Sequence, residues 1–161
     1  IVYTNFNINE LIRRCIIKLE SIITEKELEV IANFDEDTLV SADIDAIERV
    51  LINLIHNAVK FTPSGGIIGV NTEVDNDGDK VIVSVADSGI GIAKEDLDRI
   101  WERFYKVDKS RSLDTVGTGL GLSIVKNIIM EHGEKIWVES EEGKGTTFYF
   151  TLKKAKDARK N

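Results

Sequence analysis

Two asparagines and a lysine stand at helical spacing in the segment NLIHNAVKF. Asn53, Asn57 and Lys60 occupy positions i, i+4 and i+7, so they share one face of a helix with 3.6 residues per turn. An amide oxygen is a hard, neutral ligand of the kind that suits Mg²⁺, and lysine supplies a point charge to a phosphate. Asn57 is therefore a candidate metal ligand, and the ring of Phe61 offers a flat face to a base. A solvated helix edge with two aligned asparagines is the alternative.

A carboxylate ends a strong strand pattern. Asp87 closes the alternating segment KVIVSVAD, and Gly89 and Gly91 follow it in DSGIGI. Because the strand gives way there to a tight loop, the carboxylate is placed to accept a hydrogen bond from an exocyclic amine, which adenine has and guanine lacks at the corresponding position. An ordinary Asp-Ser-Gly turn is the alternative interpretation.

Three alternate glycines precede another helical pattern. Gly117, Gly119 and Gly121 stand in DTVGTGLGLSIVK, where bare backbone at a helix N-terminus lets a polyanion approach unpaired N–H groups. The spacing G-x-G-x-G matches neither the dinucleotide fingerprint nor the phosphate loop that ends in Gly-Lys-Ser/Thr. A flexible surface loop therefore stays open as an explanation of this segment taken alone.

The composition is that of one globular domain. The chain has 161 residues, 42% of them hydrophobic and 30% charged, and it contains neither an apolar run of membrane length nor a signal segment. We expect a soluble, cytoplasmic fragment without direct membrane contact, which could belong to a larger membrane protein. The net charge of −7 argues against general nucleic-acid binding, which depends on lysines and arginines. A single cysteine, Cys15, excludes an internal disulfide.

Helical and strand patterns are interspersed along the chain. Helices are predicted over 6–27 with Asn9 as N-cap, over 44–62 directly after Asp43, over 95–103, and over 122–132 before Gly133. Strand patterns occur in LEVIANF, TLVSAD, IIGVNTEV, KVIVSVAD, KIWVES and TTFYFTL, the middle two joined as a hairpin through DNDGD. We expect an α/β two-layer sandwich with a mixed, mainly antiparallel sheet of about five strands and helices on one face. The domain is predicted to span 1–152, followed by a flexible tail over 153–161.

Five segments, in this order, resemble the sequence boxes of a known family. NLIHNAVKFTP, DSGIGI, ERFYKVD, VGTGLGLSIVK and GKGTTFYFTL are similar to the N, G1, F, G2 and G3 boxes of the ATP-binding domain of sensor histidine kinases. The likeness covers nearly the whole chain. It implies a Bergerat fold, shared with gyrase, mismatch-repair and heat-shock chaperone ATPases, and it implies ATP and Mg²⁺ as cofactors.

The same resemblance implies a role for each candidate residue. Asn57 would coordinate Mg²⁺, Asn53 would assist at the metal and its waters, and Asp87 would bind the adenine amino group. The other implied nucleotide contacts are Lys60, Phe61, Gly89, Gly91, Ile92, Tyr105, Gly117, Thr118, Gly119, Leu120, Gly121, Leu122 and Thr146. The three glycines would belong to an ATP lid. Lys106 is implied as a catalytic residue, at a position where many relatives carry an arginine that reaches the γ-phosphate.

The function implied by the resemblance is phosphoryl transfer from ATP to a histidine in two-component signal transduction. The expected partners are a helical dimerisation and phosphoacceptor domain of the same protein, whose segment these residues do not contain, and a downstream response regulator. The fragment is expected to be monomeric and the full protein homodimeric.

Three other functions are compatible with the same pattern. They are a self-sufficient ATPase of the gyrase or chaperone kind, a serine kinase that binds a sigma-factor antagonist and, more weakly, a non-enzymatic nucleotide-binding module. Asn53 discriminates between the first of these and the histidine kinases. Hydrolytic relatives carry a glutamate there as general base, whereas an amide cannot take a proton from water.

Overall fold

A mixed sheet with helices on one face makes up the protein, and the predicted α/β two-layer sandwich is thereby confirmed. The computed structural model describes residues 1–36, 38–103, 105 and 121–156. Within these ranges the elements are β1 (Thr4–Asn7), α1 (Ile8–Lys18), α2 (Glu20–Glu25), β2 (Glu29–Asn33), β3 (Leu39–Ala42), α3 (Ile44–Phe61), β4 (Ile67–Val74), β5 (Lys80–Asp87), α4 (Lys94–Leu97), α5 (Gly121–Glu131), β6 (Ile136–Glu141) and β7 (Gly145–Lys154).

The sheet has the strand order β1-β3-β7-β5-β4-β2, and β6 also pairs with β7. In the part of the chain that is described, β2 and β4 are parallel and every other strand pair is antiparallel. The sheet was predicted to have about five strands, and six strand patterns were named; the structure has seven strands among the described residues. The unpredicted strand is β1, whose four residues TNFN show no apolar alternation and become a strand by pairing with β3.

The core lies between α3 and the central strands of the sheet. One side of α3 is fully buried through Ile47, Val50, Leu51, Leu54 and Ile55. On the sheet it meets the equally buried Val81, Val83, Phe150 and Leu152. Burial of each such side chain stabilises the fold by about 1.5–3 kcal/mol. The polar side of α3 is therefore held at a fixed orientation over the sheet.

The first helix begins at a different cap from the one predicted. Asn7, rather than Asn9, is the N-cap of α1, and its side chain accepts a hydrogen bond of 2.9 Å from the Asn9 backbone N–H. The Asn9 side chain is buried instead, where its Nδ2 donates to the Asp35 carbonyl and its Oδ1 accepts from Thr72 Oγ1, both at 2.8 Å. Helical periodicity could not separate two asparagines two residues apart, because a tertiary contact decides between them.

Three predicted boundaries differ from the structure. The helix expected over 6–27 is divided at Leu19 into α1 and α2, and the one expected over 95–103 is the short α4. Strand β7 continues to Lys154, and Ala155 is buried, although the division of the chain at residue 152 stays a prediction. Asp43, which directly precedes the predicted second helix, is the N-cap of α3 and accepts a hydrogen bond from the Ala46 N–H. Gly133 has a positive φ of 70° just after α5.

Cys15 lies in the core and is fully buried. Burial raises the pKa of its thiol to about 12. Because the thiolate is the reactive form of cysteine, this side chain is a small packing group rather than a nucleophile.

Glu27 has a left-handed backbone, with a φ of 57°. Glu27 is the second residue after the end of α2, a position where helices usually carry glycine. Two hydrogen bonds define this helix end: Leu28 N–H donates to the Ile23 carbonyl at 3.1 Å, and Glu27 N–H donates to the Thr24 carbonyl at 3.0 Å. We expect Glu27→Gly to raise the free energy of unfolding in urea by about 0.5–1 kcal/mol, since glycine removes the steric cost of the left-handed conformation.

Glu25→Gly is the matched control for this change. Glu25 is the last residue of α2, where glycine should lower the free energy of unfolding by up to about 1 kcal/mol. A loss of stability in Glu27→Gly would contradict the assignment of strain to this residue.

Candidate functional site

The predicted polar row on α3 lies at the border of the core. Asn53, Asn57 and Lys60 are each half-buried, and Leu54, Ile55 and Ala58 beside them are buried. Within the described part of the chain, neither the Asn53 nor the Asn57 side-chain amide has a hydrogen-bond partner. The two half-buried amides can therefore bind a polar group of a ligand.

The end of α3 is held by a lysine from the turn after α2. Lys26 Nζ donates to the carbonyl oxygens of Val59 at 2.7 Å and of Lys60 at 3.0 Å. Carbonyl groups in the last turn of a helix lack hydrogen-bond donors within the helix, and here the Lys26 ammonium group is the donor. The backbone that carries Lys60 and Phe61 is fixed in this way, and Lys60 Nζ lies 5.2 Å from the centre of the Phe61 ring.

Asp87 lies at the end of β5, half-buried, with its Oδ1 accepting a hydrogen bond of 2.8 Å from the Gly89 N–H. Burial raises the pKa of the Asp87 carboxyl, while hydrogen bonds from the backbone of Gly89 and Thr146 act in the opposite direction. A carboxylate that is partly desolvated yet keeps backbone donors is the kind of group found at binding sites.

The loop over residues 88–92 passes very close to the end of α3. A Cβ atom on Gly89 would lie 2.3 Å from the Phe61 carbonyl oxygen, which is far inside any normal contact. The same oxygen accepts a hydrogen bond of 3.2 Å from the Ile90 N–H. Glycine at position 89 therefore lets the Asp87 carboxylate and the ring-bearing end of α3 approach each other.

The other side of the 88–92 loop contacts the turn between β6 and β7. Gly143 N–H donates to the Ile90 carbonyl at 2.7 Å. Gly91 has a φ of 73°, and a Cβ atom on it would lie 2.1 Å from the Glu141 carbonyl oxygen. The loop is thus held between the end of α3 and the β6–β7 turn.

A row of side chains crosses four strands beneath this loop. In the register of the sheet Ser140 pairs with Thr146, Thr146 with Asp87, and Asp87 with Ile68. Paired residues point to the same face, and the complete burial of Ile68 identifies it as the face that carries the helices. Ser140 Oγ also accepts a hydrogen bond of 2.8 Å from the Ile92 N–H. The sequence analysis named Asp87, Thr146 and Ile92 as candidate site residues but did not name Ser140.

Helix α5 begins beside the polar row. A Cβ atom on Gly121 would lie 4.0 Å from Asn53 Cγ, so the first residue of α5 and the amide of α3 are neighbours. Leu122 follows and is half-buried. The other predicted site residues of this part of the sequence lie outside the described residues and stay predictions: Lys106, Gly117, Thr118, Gly119 and Leu120.

Tyr105 is fixed by α4 and the residues that follow it. Its hydroxyl donates to Asp96 Oδ1, and its ring lies 4.6 Å from the Arg99 guanidinium carbon. The hydrogen bond to Asp96 raises the pKa of the Tyr105 hydroxyl. The structure therefore shows Tyr105 bound to α4, and its predicted contact with nucleotide stays a prediction.

The side chains present suit a magnesium ion that is shared with a ligand. Among the described residues, no group of three or more histidine, cysteine, aspartate or glutamate side chains could hold a metal ion. Asn57 offers a single hard oxygen on a half-buried helix face, and Mg²⁺ commonly takes one or two protein ligands and completes its shell with phosphate oxygens and waters.

Comparison with known proteins shows which family the chain belongs to. The family described as histidine kinase-, DNA gyrase B-, and HSP90-like ATPase matches residues 42–156, a range that contains Asn53, Asn57, Asp87 and Thr146. This chain belongs to that family. Nucleotide binding follows from membership in this ATPase family.

Within the histidine kinase-, gyrase- and HSP90-like ATPases, the similar proteins include a sensor histidine kinase and a sensor protein. Sensor histidine kinase WalK of Bacillus subtilis is 46% identical over 129 residues, which are 80% of this chain and 21% of WalK. Sensor protein SrrB of Staphylococcus aureus is 45% identical over 76% of this chain and 21% of its own length. The chain therefore spans about a fifth of the length of these relatives.

Solved structures of histidine kinases share the fold. The catalytic domain of ThkA has a TM-score of 0.83 and 39% identity, over 96% of this chain and 99% of that one. ThkA in complex with the response regulator protein TrrA matches with a TM-score of 0.78 and 35% identity, over 95% and 42%. The prediction of a histidine kinase catalytic domain is confirmed by these relatives and structures. No helix among the described residues is long and apolar enough to span a membrane.

Proposed function

We propose that the chain binds Mg²⁺–ATP and transfers the γ-phosphoryl group to a histidine on a separate helical dimerisation domain of the same protein. The observation that supports this most directly is Asn53, which lies on α3 beside the start of α5. At this position a carboxylate would activate water, and an amide does not. The γ-phosphoryl group is then reserved for a nucleophile that another domain supplies.

The base end of the proposed site is the Asp87 carboxylate. It accepts a hydrogen bond from the adenine amino group, and the 88–92 loop holds it against the end of α3. Thr146 lies on the neighbouring strand, paired with Asp87. The Phe61 carbonyl oxygen accepts from the Ile90 N–H in the middle of the loop, and in this proposal the Phe61 ring packs near the base.

The phosphate end of the proposed site is the polar row of α3. Asn57 ligates the metal, Asn53 orients the waters around it, and the Lys60 ammonium group neutralises phosphate charge. A bound Mg²⁺ ion would draw charge from the phosphate oxygens as the phosphoryl group leaves. Phosphoryl transfer needs little covalent chemistry from the protein, so the fixed placement of these three side chains is their contribution.

The proposed partners are the protein parts that supply the phosphoryl acceptor and receive the phosphoryl group from it. The helical domain brings the phosphoacceptor histidine, and a response regulator takes the phosphoryl group from that histidine in a two-component system; ThkA has been solved with such a regulator. In this proposal the fragment is monomeric, the full protein is a homodimer, and the domain works in the cytoplasm.

Incubation with γ-labelled ATP tests the proposal. The chain alone should bind ATP, stay unlabelled and release little phosphate. Addition of the matching helical domain in trans should place acid-labile label on its histidine, and the same domain with that histidine replaced by glutamine should stay unlabelled. Asn57→Ala should lower the labelling rate at least about tenfold, because a positioning contact is lost. Rapid phosphate release by the chain alone would favour a self-sufficient ATPase, and acid-stable label on serine would favour a serine kinase.

A further inference from the structure

The hydroxyl group of Ser140 uses its whole hydrogen-bonding capacity. It donates to the Gly145 carbonyl oxygen at 2.9 Å, accepts from the Ile92 N–H at 2.8 Å, and lies 2.8 Å from Thr146 Oγ1. A serine hydroxyl has one proton and two lone pairs. Because the proton goes to Gly145 and one lone pair to Ile92, the remaining lone pair must accept the proton of Thr146.

This arrangement fixes what the Thr146 hydroxyl can offer to a ligand. Its proton points to Ser140, so only its own lone pairs are left for any other group. Thr146 is paired with Asp87 across β7 and β5, and their side chains share the face of the sheet that carries the helices. An ionised carboxylate is also purely an acceptor. These two side chains therefore offer only acceptors to a ligand, while the Gly89 N–H beside them is already bonded to Asp87.

We infer that Ser140 is a specificity-determining residue of the base site: by taking the proton of Thr146 it makes this site select a ligand amino group and reject a carbonyl group. The inference rests on the proposed adenine site at Asp87. The amino group at position 6 of adenine donates two hydrogen atoms, whereas hypoxanthine and guanine carry an oxygen there, which only accepts.

The same hydroxyl also sets the position of the 88–92 loop. Its bond to the Ile92 N–H joins the end of this loop to β6, and its bond to Gly145 joins β6 to the start of β7. Ser140→Ala removes all three hydrogen bonds and leaves the Thr146 hydroxyl free to rotate and donate. Affinity for adenine and discrimination against an oxygen at position 6 should therefore fall together.

The test is calorimetric titration of the 161-residue chain and its variants with ATP and with ITP, whose base is hypoxanthine. For the unmodified chain we expect a clear preference for ATP. In Ser140→Ala the ratio of the ITP and ATP dissociation constants should fall by about tenfold, the size of effect that one hydrogen bond produces. Ser140→Thr keeps the hydroxyl and should keep the ratio within about twofold.

Ser84→Ala is the matched control. Ser84 lies on β5, as Asp87 does, but its hydroxyl accepts from Asn71 Nδ2 at 3.4 Å, away from the row that contains Ser140. For Ser84→Ala, the ratio of the ITP and ATP dissociation constants should equal that of the unmodified chain. The double variant Ser140→Ala with Thr146→Val should regain most of the discrimination, because no hydroxyl is left to donate to the oxygen at position 6.

The outcomes separate the inference from the proposed function. If the unmodified chain binds ATP and ITP equally, the adenine site at Asp87 is wrong. If it prefers ATP and folded Ser140→Ala keeps the full ratio, the role of Ser140 is overturned and the proposed function stands. Should circular dichroism show Ser140→Ala to be unfolded, Ser140→Cys replaces it under the same criterion, since a thiol is only a weak donor and acceptor.

Discussion

Asp87→Asn should weaken ATP binding by about 10–150-fold. A hydrogen bond to a charged group contributes about 1.5–3 kcal/mol, and the asparagine side chain replaces one acceptor oxygen with an NH₂ group that meets the adenine amino group donor to donor. Calorimetric titration of the variant measures the loss. Asp77→Asn, in the exposed turn between β4 and β5, is the control and should bind ATP as the unmodified chain does.

Loss of binding in Asp87→Asn should not come from unfolding. Burial raises the pKa of the Asp87 carboxyl, so its ionised form is disfavoured in the folded state and lowers stability at neutral pH. That penalty disappears as the pH falls through the raised pKa. A neutral asparagine removes it at all pH values, and its side-chain oxygen can still accept from the Gly89 N–H. The free energy of unfolding at neutral pH should therefore be unchanged or higher.

The raised pKa of Asp87 also determines how ATP affinity changes with pH. As the pH falls through its raised pKa, Asp87 takes up a proton and loses acceptor capacity, so affinity should drop at a higher pH than an exposed aspartate would give. Asp87→Asn should lack this step. Full affinity in the variant, or equal affinity of the unmodified chain for ATP and GTP, would contradict the role of Asp87.

Gly91→Ala should destabilise the protein severely and abolish nucleotide binding. The new Cβ atom would lie 2.1 Å from the Glu141 carbonyl oxygen, at a residue with a φ of 73°. Relief of the overlap requires the 88–92 loop and the β6–β7 turn to move apart, which breaks the hydrogen bond of 2.7 Å between Gly143 and Ile90. We expect a loss of about 3 kcal/mol or more, out of a typical total of about 5–15 kcal/mol. Urea unfolding and ATP titration measure the two effects.

Gly78→Ala separates the steric effect from the conformational one. Gly78 has nearly the same backbone, with a φ of 75°, yet a Cβ atom on it would have nothing within 4 Å. Its substitution should cost only the left-handed conformation, about 1–2 kcal/mol, and leave ATP affinity unchanged. Equal losses of stability in the two variants would show that contact with the turn contributes nothing at Gly91.

Local sequence rules were sufficient to predict where the candidate site residues lie on single elements. The alignment of Asn53, Asn57 and Lys60 follows from helical periodicity once α3 is assigned. Asp87 was found because alternation ends there and glycines follow. In each case the informative residues are neighbours along the chain.

The parts that escaped prediction depend on contacts between distant segments. Lys26 reaches carbonyl groups 33 and 34 residues away, and Ser140 accepts from an N–H group 48 residues earlier. A lysine or serine in an ordinary turn or strand gives no signal of such a contact. The choice of Asn7 over Asn9 as cap has the same origin, since the buried contacts of Asn9 come from β4 and the loop after β2.

The central position of β7 has a consequence for how the protein is made. This strand pairs with β3, β5 and β6, yet it is the last strand of the described chain to leave the ribosome. Until Gly145–Lys154 has emerged, β3 has no neighbour that connects it to β5, and the apolar side of α3 has only part of its sheet to cover it. Long-range strand pairing of this kind is slow and leaves apolar surface exposed in the meantime. Because Thr146 lies on the same strand and pairs with Asp87, the proposed nucleotide site is complete only once translation has passed β7.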